Sequence, residues 1–128
     1  MGVTGFVAIG LGGAIGCWSR WLLGIALNPL FPTLPLGTLA ANLTGGLLMG
    51  CVMGVFDHFQ ALSPALRLFV FTGFLGGLTT FSTFSAESAT LLLRQQYLWF
   101  SGHVAVHVAG SLARTVLGIA LTRNLLRH

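Results

Sequence analysis

Charge is the scarcest property of this sequence. Among 128 residues there are six arginines, no lysine, and two acids, Asp57 and Glu87. With 6% charged and 55% hydrophobic residues and a mean hydropathy of +0.89, too little polar surface remains to cover a soluble globule. The arginines are scattered without a run, so the formal charge of +4 gives no footprint for nucleic acid. Cysteine is nearly absent as well. Cys17 and Cys51 fall in separate apolar segments without CxxC spacing, which disfavours a disulfide or a thiolate metal site and leaves them as small packing residues. Residues 1–19 carry no charged side chain and the first apolar stretch continues past position 25, unlike a cleaved signal, so the first segment is expected to be retained. The opening MGVTGF lacks the hydroxyl at position 6 that myristoylation needs. No nucleophile, base and orienting group fall together in the apolar segments, which disfavours an enzyme.

Long apolar runs are what the chain does have. They cover about 3–27, 37–56, 66–93 and 98–121, each sufficient for the roughly 20 residues of a membrane crossing. The expected fold is all-α, an integral membrane protein of four transmembrane helices forming a single domain over residues 1–128. NPLFPTLP (28–35), DHFQALSP (57–64) and RQQY (94–97) punctuate the runs, and such short connections make neighbouring helices antiparallel. With the amino terminus inside, Arg67, Arg123 and Arg127 are cytoplasmic and Arg94 external, while Arg20 and Arg114 lie within segments. This bias is weak, and a weak bias permits copies to insert both ways round. Gly12 and Gly16, then Gly46, Gly50 and Gly54, recur every four residues and mark close helix contacts.

The third segment holds the unusual chemistry. Thr79, Thr80, Ser82, Thr83 and Ser85 follow Gly76 and Gly77 and interleave with Phe81 and Phe84. Glycine lowers helix stability by about 1 kcal/mol relative to alanine, so a break near 75–80, close to mid-membrane, is expected. A break frees carbonyls for a cation and amides for an anion. Glycine and hydroxyls alone also fit an unbroken flexible helix whose Ser and Thr bond to their own backbone. On the second segment Thr38, Asn42, Gly45 and Met49 share one face. Asn42 can donate two hydrogen bonds to an anion or serve as interhelical glue. On the fourth, His103, His107, Ser111 and Arg114 form a polar stripe. The histidines have metal-pair spacing, but the acids and both cysteines lie on other segments, which disfavours a metal. Phe81 and Phe84 are core residues or, alternatively, present their positive ring edges to an anion.

Four stretches together resemble the Fluc (CrcB) family of small fluoride channels: GCWSRWLLG, GTLAANLTGG, TGFLGGLTTFSTFSAE and GSLARTVLG. The resemblance implies an antiparallel, dual-topology homodimer in the cell inner membrane, with two fluoride pores and a central structural sodium ion. It implies that the carbonyls of Gly76 and Thr79 hold the sodium. It also implies that Phe81 and Phe84 form an aromatic box, that Asn42 is a pore amide, and that Thr38, Thr80, Ser82 and Ser111 are polar-track positions. Arg20 matches a vestibule charge and Glu87 the acid that ends the third motif, while His107 keeps donor character on the path. A proton-coupled exporter resembling small multidrug transporters is the main rival. That class needs a glutamate in its first helix, and this first segment has no carboxylate. A membrane scaffold without transport is the third reading.

Overall fold

Proline places the first boundary of the fold. In the computed structural model, which describes residues 2–127, α1 (Gly2–Leu27) passes into a short 3₁₀ turn at Asn28–Leu30. Helix α2 (Leu36–His58) starts directly after Pro35. The Asn28 side-chain oxygen accepts from the Gly37 amide at 2.7 Å, which ties the proline-rich connection to the first turn of α2. Ser63 caps the next helix by accepting from Leu66 N at 3.1 Å, with Pro64 in the first position, where no amide hydrogen is needed.

That third span, Pro64–Leu93, contains two helical arms. Arm α3 (64–78) opens with an α-helical turn, continues as a wider π-helical stretch over Leu68–Leu75, and ends with Gly76–Leu78. Arm α4 is Phe81–Leu93. A tight turn follows, in which Gln95 takes φ 60 and the Gln96 and Gln95 amides bond back to the Leu91 and Leu92 carbonyls, both at 3.0 Å. This left-handed closure satisfies carbonyls that the helix end leaves free. Helix α5 (Tyr97–Leu126) then runs on past the end of its apolar stretch at Leu121, because helical bonding needs no hydrophobicity.

All four spans are long and apolar enough to cross a membrane. Bulky side chains such as Val3, Phe6, Trp18, Trp21, Leu93 and Leu98 are exposed, as lipid-facing residues are. Two seams hold the bundle. On one, α1 packs along α3, with Gly12 and Gly16 against the Phe69–Leu78 backbone. A methyl at Gly12 would stand 2.9 Å from Phe74 N, closer than packed atoms approach. On the other, α2 packs along α5 through Gly46, Gly50, Gly54 and Gly118. A methyl at Gly46 would lie 2.9 Å from the Ser111 carbonyl oxygen. The expected four-residue glycine contacts are therefore present on both helices, and they bring α5 beside the polar face of α2.

Candidate functional site

Helical bonding in the third span stops at Leu78. Thr79 (φ −93, ψ 156) and Thr80 (φ −150, ψ 121) are extended, and α4 starts afresh at Phe81. Thr79 closes the end of α3 by directing both its amide, at 3.0 Å, and its hydroxyl, at 2.8 Å, to the Leu75 carbonyl. Thr80 caps α4, its hydroxyl accepting from Thr83 N at 3.1 Å. An extended residue turns its amide and carbonyl sideways, and Asn42 on α2 takes both. Thr80 N donates to Asn42 Oδ1 at 2.8 Å, and Asn42 Nδ2 donates to Thr80 O at 3.1 Å.

This two-point clamp fixes the rest of the network. Because an amide N–H must meet an oxygen, Asn42 has one orientation, and its second Nδ2 hydrogen faces His107 Nδ1 at 3.1 Å. Nδ1 is therefore the acceptor, and the neutral ring carries its proton on Nε2. That N–H is buried without a protein partner. An unpartnered donor in such surroundings suits an anion.

Glu87 meets the same region from α4. Thr38 donates to its Oε2 at 2.8 Å, while Oε1 stands 3.5 Å from His103 Nε2, too far for a good hydrogen bond. His103 and His107 are 2% and 4% exposed, with ring centroids 4.4 Å apart. Phe84 lies against both, at 5.3 and 4.7 Å, and Phe81 extends the aromatic row at 5.5 Å from Phe84. Phe81 itself is 77% exposed, so the row runs from the bundle interior to its surface. A cavity of about 370 Å³ follows it, walled by Asn42, Thr80, Phe81, Phe84, His107 and Ser111.

Similarity to known proteins bears on this arrangement. The family model described as "CrcB-like protein, Camphor Resistance (CrcB)" matches residues 7–119. The chain belongs to the CrcB-like family. It is 59% identical over 128 residues, the whole of both chains, to "Fluoride-specific ion channel FluC" of Nitrosospira multiformis. Proteins of the same name from Dechloromonas aromatica and Aromatoleum aromaticum are 59% and 56% identical, covering 89% and 90% of this chain and 84% and 88% of their own. These relatives are named as ion channels, not as enzymes.

In this CrcB-like chain the residues singled out from sequence fall into four groups. Asn42, Thr80, Phe81, Phe84, His107 and Ser111 gather on the cavity, joined by Ser82 through its 3.3 Å contact with the Thr80 hydroxyl. Thr38 and Glu87 pair one layer away, beside His103. Arg20 stands apart, donating from Nε to the Gly77 carbonyl at 3.0 Å, and shares a hollow of about 310 Å³ with Thr38 and Thr83. Gly76 and Thr79 flank the end of α3. Arg114, the next polar residue along the α5 stripe, is exposed, and Thr115 takes the inward position. Two residues noted in the sequence, Thr83 among the hydroxyls and His103 in the polar stripe, were given no place on the path there. Thr83 is signalled only by its place three residues after the cap at Thr80, and His103 becomes central because the fold carries Glu87 to it.

Proposed function

We propose that this chain is the subunit of a fluoride channel that lets the ion leave down its electrochemical gradient and so lowers cytoplasmic fluoride. The observation that carries this is the buried His107 Nε2–H, aimed without a partner beside the Asn42 clamp and the Phe81–Phe84 row. The fluoride-channel relatives supply the identity of the ion. Burying a bare small anion costs tens of kcal/mol by Born estimates, so the path must replace its water with donors. His107 offers an N–H group and Ser82 and Ser111 offer hydroxyls, while Asn42, Thr38 and Thr80 direct their hydrogens to protein partners and hold the lining in place. The ring edges of Phe81 and Phe84 add weak positive contacts that do not trap the ion. Arg20 raises the potential for anions at the entrance, and Glu87 orients Thr38 at the far end.

The working unit is an antiparallel, dual-topology homodimer in the cell inner membrane, each copy spanning the bilayer four times, with two pores. In it the interruption at Thr79 and Thr80 is the mid-membrane break of the third helix, and exposed Phe81 is covered by the second copy. A structural sodium ion sits between the copies. The residues fit that ion: the end of α3 has carbonyls beyond the reach of its helical ladder, and Gly76 is exposed with only the Phe71 carbonyl, 3.7 Å away, near its Cα substituent position. Gly76 and Thr79 carbonyls from both copies would hold it, as unwound backbone holds sodium in other membrane proteins. Its charge then favours anions on either side.

Reconstitution decides the function. Purified protein in liposomes should give electrogenic fluoride efflux that chloride does not replace, and no flux overturns the channel. Cysteine pairs placed across the expected dimer should cross-link only between oppositely inserted copies. Exchanging sodium for a large organic cation should loosen the dimer, and unchanged assembly would remove the sodium.

A further inference from the structure

Glu87, His103 and His107 offer ligand atoms that all lie within 4.8 Å of one another. They come from two elements: the histidines sit one turn apart on α5, and Glu87 reaches them from α4. In each residue one atom is buried and without a hydrogen-bond partner, namely Glu87 Oε1, His103 Nε2 and His107 Nε2. Each residue of the cluster thus carries one unsatisfied ligand atom, a carboxylate oxygen or an imidazole nitrogen, an arrangement that a complementary ligand relieves.

A divalent transition metal satisfies all three at once. Two histidines and a glutamate are a ligand set used by zinc, with a fourth position left for solvent or an anion. Imidazole suits zinc, copper and nickel, whereas calcium and magnesium want shells of oxygen that this pair of rings cannot supply. Tetrahedral ligands about 2.1 Å from a zinc ion stand roughly 3.4 Å apart. Glu87 Oε1 and His103 Nε2 are 3.5 Å apart already. Thr38 holds the other carboxylate oxygen at 2.8 Å and so orients the acid. His103 lies about 9 Å along α5 from Tyr97, at 1.5 Å per residue, so an ion entering from that end crosses only part of the membrane.

We propose that Glu87, His103 and His107 bind a divalent transition-metal ion of the zinc type, and that an occupied site closes the anion path beside it. The first half stands on the geometry alone; the second rests on the channel function proposed above. Metal at His107 Nε2 moves that ring's proton to Nδ1, where it meets the Asn42 Nδ2–H donor, so occupation of the site requires the Asn42 amide to turn and give up its clamp on Thr80. The unpartnered donor is then gone, and a doubly charged ion sits where a passing anion must bind weakly to leave again.

Cobalt is the first probe. Titrating purified wild-type protein with Co²⁺ should produce visible d–d bands of a four-coordinate ion, saturating at one per chain and abolished by Zn²⁺; no saturable bands overturns the site. X-ray absorption of the zinc form should show nitrogen and oxygen neighbours at about 2.0–2.1 Å, whereas sulfur at about 2.3 Å places the metal on cysteine and overturns it. His103→Gln and Glu87→Gln should each lower affinity at least about tenfold, and wild-type affinity in both moves the metal elsewhere. In liposomes, zinc at ten times its dissociation constant should slow fluoride efflux about tenfold by mass action, with recovery on chelation and no more than about twofold slowing in His103→Gln. Bound zinc with unslowed efflux defeats the second half. Absence of any efflux defeats the channel and the closure together, while the cobalt spectra still decide the site.

Discussion

The α2–α5 seam and the junction where α4 packs on α5 both place polar groups among apolar side chains, yet they treat them differently. On the seam each threonine is answered locally. Thr115 donates to the Gly46 and Ser111 carbonyls at 2.8 and 3.1 Å, and Thr122 to those of Gly118 and Ile119 at 3.0 and 3.1 Å. At the junction, Glu87 Oε1, His103 Nε2 and His107 Nε2 stay unanswered. Polarity within a membrane bundle therefore does not by itself mark function. Polarity left unsatisfied does, because only something that arrives from outside can satisfy it.

The largest effect is expected where the seam is tightest against backbone atoms. A side chain at Gly50 runs into the Thr115 carbonyl and would stand 3.0 Å from Ile119 N, both backbone atoms that cannot swing away. Gly50→Val should cost on the order of 4 kcal/mol and remove the monodisperse peak in size-exclusion chromatography. A normal peak would show that the seam can open, and the contrast with the junction would lose its structural half.

At the junction the expected losses are functional. Asn42→Ala leaves the Thr80 amide and carbonyl and the His107 ring without their partner. Each buried group left unpaired costs about 1–3 kcal/mol, which raised on a barrier corresponds to roughly 10–100-fold slower fluoride efflux from protein that still purifies as a folded species. Phe81→Ile removes the outer ring of a pair 5.5 Å apart, and aromatic contacts of about 0.5–1.5 kcal/mol set the expected loss at no more than about tenfold. Wild-type efflux in either variant would take that residue off the path.

How much of this the sequence disclosed follows from the range of each interaction. Apolar run length and i, i+4 glycines are local, so the four spans and both glycine seams were legible. The TTFSTF hydroxyls announced unusual chemistry, and the motif resemblance supplied roles that composition could not. Contacts between distant positions were hidden. Arg20 reaches Gly77 and Asn42 reaches His107 only once the helices pack, and the state of each ring nitrogen depends on that geometry. The same holds for the metal set. Sixteen positions separate Glu87 from His103 in the chain, with a turn between, and the reversal at Gln95 folds α4 back along α5. A spacing rule restricted to one helix therefore sees two histidines and no acid.

Thr115 gives the smallest effect and the sharpest test of the contrast. It borders the same cavity as Ser111 and His107, so proximity alone would make it a pore residue. Its hydroxyl hydrogen is directed to the Gly46 carbonyl instead, with the Ser111 carbonyl behind it. Valine keeps the shape and removes one interhelical hydrogen bond, which inside membranes averages about 0.6 kcal/mol. Thr115→Val should lower the midpoint of thermal unfolding slightly and change fluoride efflux by less than about twofold, since RT ln 2 is only about 0.4 kcal/mol. A tenfold fall in efflux with stability unchanged would mean that a satisfied hydroxyl serves the ion as well as an unsatisfied one. The distinction between seam and junction would then rest on position alone and not on hydrogen-bond supply.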